Sequence, residues 1–225
     1  MKLEVKNLTT GYGDTKIIEN LNLTIPEGKV TALIGANGCG KSTLIKSIAK
    51  ILTPKSGEVL MGDKNLLKMP PKELAKELAM LPQSSSAPED LTVYDLVKQG
   101  RYPYHNLLSF WGKKDEEIVM ESIGKMGLIE EKDRTLENLS GGQRQRAWIA
   151  LSLCQDTEVI LLDEPTNHLD IKYQIEIMNI VKELNITVLA ALHDMNLVSA
   201  YCNKVYMIDK GKVVYGGETK EVLTP

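Results

Sequence analysis

The residues most able to do chemistry form one glycine-rich run, Gly-Ala-Asn-Gly-Cys-Gly-Lys-Ser-Thr, at positions 35–43. The run has the spacing of a phosphate-binding loop, in which a glycine and four free positions precede Gly-Lys-Ser/Thr. Glycines let the backbone turn so that successive N–H groups point at one anion, and a following helix adds positive potential there. Lys41 can reach the β- and γ-phosphates, and Ser42 can ligate Mg²⁺. These residues therefore predict a nucleoside triphosphate site made of Gly35, Ala36, Asn37, Gly38, Cys39, Gly40, Lys41, Ser42 and Thr43.

Two carboxylates follow an apolar stretch farther along the chain. Residues 159–162 are Val-Ile-Leu-Leu, and Asp163 and Glu164 come directly after them. An aspartate at the tip of a buried strand beside a phosphate loop can hold Mg²⁺, and the adjacent glutamate can polarise an attacking water. We therefore predict that Asp163 and Ser42 bind the metal and that Glu164 is a catalytic residue.

A second candidate anion site begins at Ser140, where the sequence is Ser-Gly-Gly-Gln. Ser140 is placed to cap a helix over residues 141–154, and the two glycines leave the N–H groups of the first helical turn uncovered. By itself the segment is an ordinary helix cap. Together with the other two motifs it predicts a second anion site, for which Ser140, Gly141, Gly142 and Gln143 are the candidate residues.

The motifs lie in an alternation of predicted strands and helices, which favours a mostly parallel sheet. A strand at 30–34 precedes the phosphate loop and a helix at 43–50 follows it. After residue 155 we predict a strand at 159–162, a helix at 171–184, a strand at 186–192, a helix at 196–202, and a hairpin of strands 205–209 and 212–215 that turns at Lys210 and Gly211.

Residues 84–155 differ in character from this alternation. Thr92 and Ser140 are placed to cap helices, the first over 93–100, and residues 115–126 have a helical pattern. We therefore predict one α/β domain with an insertion. Residues 1–83 and 156–225 form the nucleotide-binding core, and residues 84–155 form the helical insertion.

Composition limits the classes of partner. The chain has 225 residues and a net charge of −3, so it lacks the basic excess typical of nucleic-acid-binding proteins. Its three cysteines show no paired spacing, which favours reduced thiols in the cytosol. No apolar run reaches the roughly 20 residues that a membrane-spanning helix needs. We expect a chain that is soluble by itself, binds no nucleic acid and can still dock on a membrane protein.

The order of the three motifs resembles that of the ATP-binding-cassette (ABC) ATPases. Ser140-Gly141-Gly142-Gln143 is similar to the signature sequence of that family, and Asp163-Glu164-Pro165-Thr166 follows as it does there. The resemblance extends over essentially the whole chain. It implies a P-loop NTPase fold with a RecA-like α/β core, an N-terminal antiparallel β subdomain and an inserted α-helical subdomain. It also implies a head-to-tail homodimer in which each ATP lies between the phosphate loop of one copy and the signature of the other.

Four further positions match the family pattern. The resemblance implies that Tyr12 stacks on adenine, that Gln83 touches Mg²⁺ and senses a membrane partner, and that His193 hydrogen-bonds the γ-phosphate as a catalytic residue. Asp170 matches an aspartate that communicates across the dimer and contacts the nucleotide, and it is also placed to cap the helix at 171–184. His105 and His168 match no such position and are predicted to be surface or interface residues. Ala36 and Cys39 depart from common family choices at free positions of the loop.

Residues 91–104 and 166–170 are similar to segments of importers of iron chelates, haem and cobalamin. This implies a peripheral ATPase on the cytoplasmic face of the cell membrane, bound to multi-span permease subunits and served by an extracytoplasmic substrate-binding protein. The alternative is a soluble single-cassette ATPase that serves a protein assembly such as iron–sulfur cluster biogenesis.

Aromatic and apolar side chains are concentrated next to Gln83, although aromatic residues make up only 5% of the chain. They suit a docking groove for a partner helix, and they suit equally the small core of the helical insertion. The residues concerned are Tyr102, Tyr104, Leu107, Leu108, Phe110 and Trp111.

Overall fold

The computed structural model describes residues 1–84, 86–106 and 111–222. The strands in these ranges are β1 (Leu3–Tyr12), β2 (Thr15–Ile25), β3 (Val30–Ile34), β4 (Ser56–Met61), β5 (Lys64–Asn65), β6 (Leu78–Leu81), β7 (Val159–Asp163), β8 (Thr187–Ala191), β9 (Lys204–Asp209) and β10 (Lys212–Glu218). The helices are α1 (Lys41–Ile48), α2 (Pro71–Glu77), α3 (Val93–Val97), α4 (Lys113–Lys125), α5 (Gly141–Cys154), α6 (Ile171–Glu183), α7 (Met195–Tyr201) and α8 (Thr219–Val222).

The larger sheet has the strand order β10-β9-β3-β8-β7-β6. All its neighbouring strands are parallel except β10, which pairs antiparallel with β9. Strands β3, β7 and β8 are buried along their whole length, as expected of parallel strands covered on both faces. The carboxyl ends of parallel strands meet at one edge, so the residues that follow β3, β6, β7 and β8 converge there.

The smaller sheet is antiparallel, with the order β2-β1-β4-β5. Its buried side chains share one apolar cluster with α1 and with one face of the larger sheet, to which Leu33 of β3 belongs. The neighbouring Ala32 and Ile34 belong to a second cluster on the opposite face, together with residues of α5, α6 and α7. This alternation in β3 places the larger sheet between the two clusters. The predicted fold class, a P-loop α/β core with an antiparallel β subdomain and a helical insertion, is confirmed.

Helices α3, α4 and α5 follow β6 and precede β7 in the chain. Their buried side chains belong to one apolar cluster. The predicted helix at 93–100 is wrong in its extent, because α3 ends at Val97 and the chain continues as a 3-10 helix over Lys98–Tyr104. Gly100 lies where a Cβ would be 2.6 Å from the Leu151 carbonyl oxygen of α5. Close approach to α5 and Pro103 inside the 3-10 helix account for the tighter winding.

Arg101 is a buried charge inside the insertion, with only 3% of its surface exposed. Its Nε donates to Asp115 Oδ1 at 3.0 Å, and its Nη1 donates to the carbonyl oxygen of Cys154 at the end of α5 at 3.0 Å. The guanidinium also stacks on the ring of Tyr104 at 3.9 Å. The segment after α3 is therefore tied to both α4 and α5, since α4 contains Asp115.

The aromatic residues that the sequence places between positions 102 and 111 are partly exposed and partly internal. Tyr102 and Trp111 are exposed to 66% and 43%, whereas the Tyr104 hydroxyl donates to the Gln155 carbonyl oxygen at 2.9 Å. His105, predicted to be a surface or interface residue, is partly buried and stacks on Trp111. The predicted groove residues Leu107, Leu108 and Phe110 lie outside the described residues.

Within residues 1–84, 86–106 and 111–222, no helix combines the length and the apolar character needed to cross a membrane.

Candidate nucleotide-binding site

The glycine-rich run connects β3 to α1 as a tight loop. Gly35, its first residue, has a φ of 147°, a backbone conformation that residues with side chains rarely adopt. A Cβ at this position would also lie 2.2 Å from the Ile208 carbonyl oxygen. Helix α1 begins at Lys41, two residues before its predicted start, because Gly40 at the N-cap leads directly into the first turn.

Lys41 is the buried cation of this loop. Its Nζ donates to the carbonyl oxygens of Gly35 at 2.8 Å and of Ala36 at 3.1 Å. These two bonds keep the ammonium hydrogen-bonded inside the protein and hold it across the loop. A phosphate oxygen is a stronger acceptor than a carbonyl because it is charged, so the ammonium can exchange these bonds for a phosphate.

Ser42 and Asp163 meet although they lie on different elements. The Ser42 hydroxyl donates to Asp163 Oδ1 at 2.8 Å, and Asp163 is almost fully buried at the end of β7. Burial raises the pKa of Asp163, and the hydrogen bond from Ser42 only partly opposes this effect. The carboxylate is therefore costly to keep charged in this position.

The same pair offers oxygen ligands for a divalent cation. Asp163 Oδ2 is buried and has no hydrogen-bond partner within the described residues, and a nearby cation would compensate its charge. Gln83, which follows β6, lines the adjacent cleft together with Ser42 and can supply an amide oxygen. Carboxylate, hydroxyl and amide oxygens are ligands that Mg²⁺ accepts, so the residues present fit this ion.

Glu164 has three hydrogen-bond partners. Its Oε2 accepts from Gln83 Nε2 at 2.7 Å and from Asn167 Nδ2 at 2.8 Å, and its Oε1 lies 2.8 Å from His193 Nε2. Its backbone has a φ of 56°, which is uncommon for a residue with a side chain and is found mostly at turns and functional sites.

The environment of Glu164 keeps its carboxylate ionised. Burial acts to raise its pKa, but the hydrogen bond and charge of His193, the hydrogen bond from Gln83 and the charge of Lys41 together lower it. The side chain is only 10% exposed. A deprotonated carboxylate held at the edge of a cleft can accept a proton from water.

The cleft beside these residues has a volume of about 660 Å³. Most of its lining consists of residues that the sequence motifs single out. They are Tyr12, Asn37, Gly38, Gly40, Lys41, Ser42, Thr43, Gln83, Glu164 and His193. Gly35, Ala36 and Cys39 belong to the same loop but do not line the cleft.

Three further lining residues, Ile17, Asn167 and His168, were not predicted as site residues. Asn167 lies three positions after Glu164 in a segment noted only for its resemblance to importers. A polar side chain so close to a candidate catalytic carboxylate was the available signal for it. Ile17 gave no comparable signal, because an isoleucine in a strand is an ordinary core residue.

The signature segment and Asp170 do not line this cleft. Ser140 and Gln143 form a reciprocal capping box at the start of α5, with hydrogen bonds of 3.2 and 3.0 Å. Gly142 is buried where a Cβ would be 2.7 Å from the ring of Tyr173. Asp170 occupies the N-cap of α6, but its side chain makes no capping bond. The nucleotide contact that the family resemblance implies for these residues is one with a partner copy, and it stays a prediction.

Comparison with known proteins places these features in context. Residues 18–167 match a protein family described as ABC transporter. The chain is 50% identical to a probable siderophore transport system ATP-binding protein, YusV, of Bacillus subtilis, over 99% of this chain and 82% of that protein. It is 48% identical to the petrobactin import ATP-binding protein FpuD of Bacillus anthracis, over 98% of this chain and 82% of that protein.

Solved structures show the same architecture. A nucleotide-free ATP-binding cassette from an ABC transporter superposes with a TM-score of 0.88 at 26% identity, covering 98% of this chain and 93% of the other. A dimeric cassette in a post-hydrolysis state with bound ADP and phosphate gives a TM-score of 0.82 at 27% identity, covering 96% and 98% of the two chains.

Proposed function

Because the chain belongs to the ABC transporter family and is an ATP-hydrolysing subunit of that family, we propose that it energises the import of an iron–siderophore complex. One observation carries the assignment of the site. The buried lysine of the phosphate loop, the Ser42–Asp163 pair and the Glu164–His193 pair converge at one edge of the parallel sheet. The proposed cargo class is based on the names of two relatives. One is named as part of a siderophore transport system, and the other as a petrobactin import protein.

ATP occupies the 660 Å³ cleft, with its phosphates on the loop between β3 and α1. Tyr12, half exposed at the end of β1, supplies an aromatic face for adenine. Lys41 exchanges its two carbonyl acceptors for phosphate oxygens. Asp163, Ser42 and Gln83 hold Mg²⁺, which when bound neutralises charge on the phosphate oxygens.

Glu164 positions the attacking water and accepts its proton. Its ionised carboxylate lies at the rim of the cleft, and His193 is placed to hydrogen-bond both this carboxylate and the γ-phosphate. Lys41 and the loop N–H groups stabilise negative charge as the phosphoryl group is transferred.

A second copy of the chain completes the site. The signature residues lie away from the cleft of their own copy, and Ser140 and Gly141 are exposed at the N-terminus of α5. That helix end is suited to a phosphate bound by another molecule. The dimeric cassette with ADP and phosphate supports a homodimer. In our proposal the two copies pair head to tail, so that Ser140, Gly141, Gly142, Gln143 and Asp170 face the partner's nucleotide.

The membrane partner docks on the helical insertion and the neighbouring Gln83. Tyr102 and Trp111 are exposed there, and Arg101 connects this segment to α5, whose first turn carries the signature. The subunit then lies on the cytoplasmic face of the membrane, bound to permease subunits that receive cargo from a substrate-binding protein.

The test is a pull-down of the Glu164→Gln variant with Mg-ATP from detergent-solubilised membranes of the native host. We expect a multi-span membrane protein to be recovered, and a Lys41→Ala variant to recover less of it if closure depends on ATP. A strain lacking the gene should lose growth on a ferric siderophore as sole iron source, and Lys41→Ala should not restore growth. Recovery of soluble assembly factors alone would overturn the proposal in favour of a soluble ATPase.

A further inference from the structure

The hairpin between β9 and β10 ends in a two-residue turn at Lys210 and Gly211. Both residues have positive φ values, 45° and 74°, and the flanking Asp209 and Lys212 are paired across the hairpin. Two consecutive left-handed residues are typical of the tight turns whose twist matches antiparallel strands. The backbone N–H groups of the turn therefore point away from the hairpin and are free to bond elsewhere.

The tip of this hairpin contacts the phosphate loop. The Gly211 N–H donates to the Cys39 carbonyl oxygen at 2.9 Å. A Cβ at Gly40, the next loop residue, would lie 3.7 Å from the Gly211 Cα, and the first loop residue, Gly35, lies against the Ile208 carbonyl of β9. The hairpin thus supports the loop at its first residue and again at the start of α1.

Strand β2 closes the other side of the tip. A Cβ at Gly211 would lie 1.7 Å from the Ile17 carbonyl oxygen and 2.8 Å from the Ile17 carbonyl carbon. Both obstacles are backbone atoms, so a side chain cannot be accommodated by a rotamer change. Ile17 itself lines the nucleotide cleft. The glycine is therefore held between the phosphate loop and a strand that forms the wall of the same cleft.

The bond to Cys39 bears on the chemistry of the loop. A phosphate-binding loop works by presenting N–H groups to the anion, and a carbonyl oxygen turned toward the phosphates would repel them. A carbonyl group buried without a donor is also unfavourable. The Gly211 N–H satisfies the Cys39 carbonyl, and neither residue lines the cleft.

We propose that Gly211 is a positioning residue for nucleotide binding, which holds the phosphate loop in its anion-binding conformation through the Cys39 carbonyl. The proposal rests on the proposed ATP site, whose loop it concerns. It assigns the C-terminal hairpin a part in the affinity for ATP, although no residue of the hairpin lines the cleft. A substitution at Gly211 should therefore change the KM for ATP more than kcat.

The test compares Gly211→Ala with Gly62→Ala in the purified chain. Gly62 also has a left-handed backbone, with a φ of 59°, but lies in the turn after β4, where a Cβ would meet only the Met1 side chain. Alanine keeps the backbone N–H, but its Cβ must push the hairpin tip away from Ile17 and so break the bond to Cys39. We expect Gly211→Ala to raise the KM and the Kd for Mg-ATP about tenfold, the effect of losing one satisfied hydrogen bond, with a much smaller change in kcat. Gly62→Ala should leave both constants unchanged, and its loss in Tm shows the cost of a side chain at a left-handed position away from the cleft.

A second measurement uses the wild-type chain, in case the Gly211→Ala variant does not fold. Amide hydrogen exchange should show the Gly211 N–H protected without nucleotide and more protected, together with residues 36–40, when Mg-ATP is added. Equal ATP binding by wild type and Gly211→Ala, or a Gly211 amide that exchanges freely, would overturn the inference. Failure of the wild type to bind Mg-ATP would instead overturn the proposed site.

Discussion

His193 Nε2 lies 2.8 Å from Glu164 Oε1, although 29 positions separate the two residues in the chain. The cause is the register of the sheet, in which Asp163 of β7 pairs with Ala191 of β8. Residues just beyond these paired ends must come together at the same edge. The carboxylate and the imidazole are therefore brought together by strand pairing.

The Glu164→Gln variant tests the role of this carboxylate. Glutamine has the same shape but cannot accept a proton from water, so we expect kcat to fall by about 10²- to 10⁴-fold. The affinity for ATP should change little, since the loop and Lys41 remain. Steady-state hydrolysis and equilibrium binding of Mg-ATP give the two values, and turnover at the wild-type rate would refute the assignment of Glu164.

Asn167 provides a second test of the same network. Its Nδ2 donates to Glu164 Oε2 at 2.8 Å, so Asn167→Ala should leave the carboxylate less well oriented. We expect kcat to fall about three- to tenfold, as for the loss of one hydrogen bond, with the KM for ATP and the Mg²⁺ dependence unchanged. Gln83→Ala is the comparison, because it removes the other donor to Oε2 and also a candidate metal ligand, so it should alter the Mg²⁺ dependence too. If both variants had the same kcat and the same Mg²⁺ dependence, Asn167 would not act on Glu164 alone and Gln83 would not be a metal ligand.

Features that depend on residues close together in the sequence could be predicted, whereas those that depend on distant residues could not. The strand, loop and helix around residues 30–48 followed from local glycine spacing and an apolar run, and the P-loop α/β fold is confirmed. Pairing of β7 with β8 explains why motifs far apart in the chain converge. Arg101 was noted only as part of a family-like segment, because its burial depends on a contact with Cys154, 53 positions away.

Lys41→Ala should separate nucleotide binding from folding. The variant loses a charged donor to the phosphates and the two bonds to the Gly35 and Ala36 carbonyls. We expect the affinity for Mg-ATP to fall about 10- to 100-fold, the range for hydrogen bonds to charged groups. Equilibrium binding and thermal unfolding should be measured on the same sample, and a normal ATPase rate would contradict the role of the phosphate loop.

Arg101→Met tests the buried ion pair in the helical insertion. Removing the guanidinium takes its hydrogen bond and charge away from Asp115, which keeps the Gly112 N–H and His105 as partners, so the free energy of unfolding should fall by about 2 kcal/mol. The double variant with Asp115→Asn should be less destabilised than the sum of the two single variants, because the partner that each single variant leaves behind is then removed as well. Urea unfolding of the four proteins measures the coupling, and strict additivity would show that the pair does not interact.

The acid stability of the insertion depends on Asp115. Burial acts to raise its pKa, but the hydrogen bonds from the Gly112 N–H and from Arg101, with the charge of His105, hold it below its ordinary value. A carboxyl group with a lowered folded pKa stabilises the protein above its unfolded pKa of about 3.9, and this contribution is lost as the pH falls through the folded pKa.

The difference in unfolding free energy between wild type and Asp115→Asn should therefore be largest near neutral pH. It should narrow as the pH falls below about 4, because protonated Asp115 then resembles the neutral amide. Urea unfolding followed by circular dichroism, from neutral pH down to about pH 3, measures the difference directly. A difference that stays constant over this range would mean that the charge of Asp115 does not stabilise the fold, and Asp115 would then act only by capping α4.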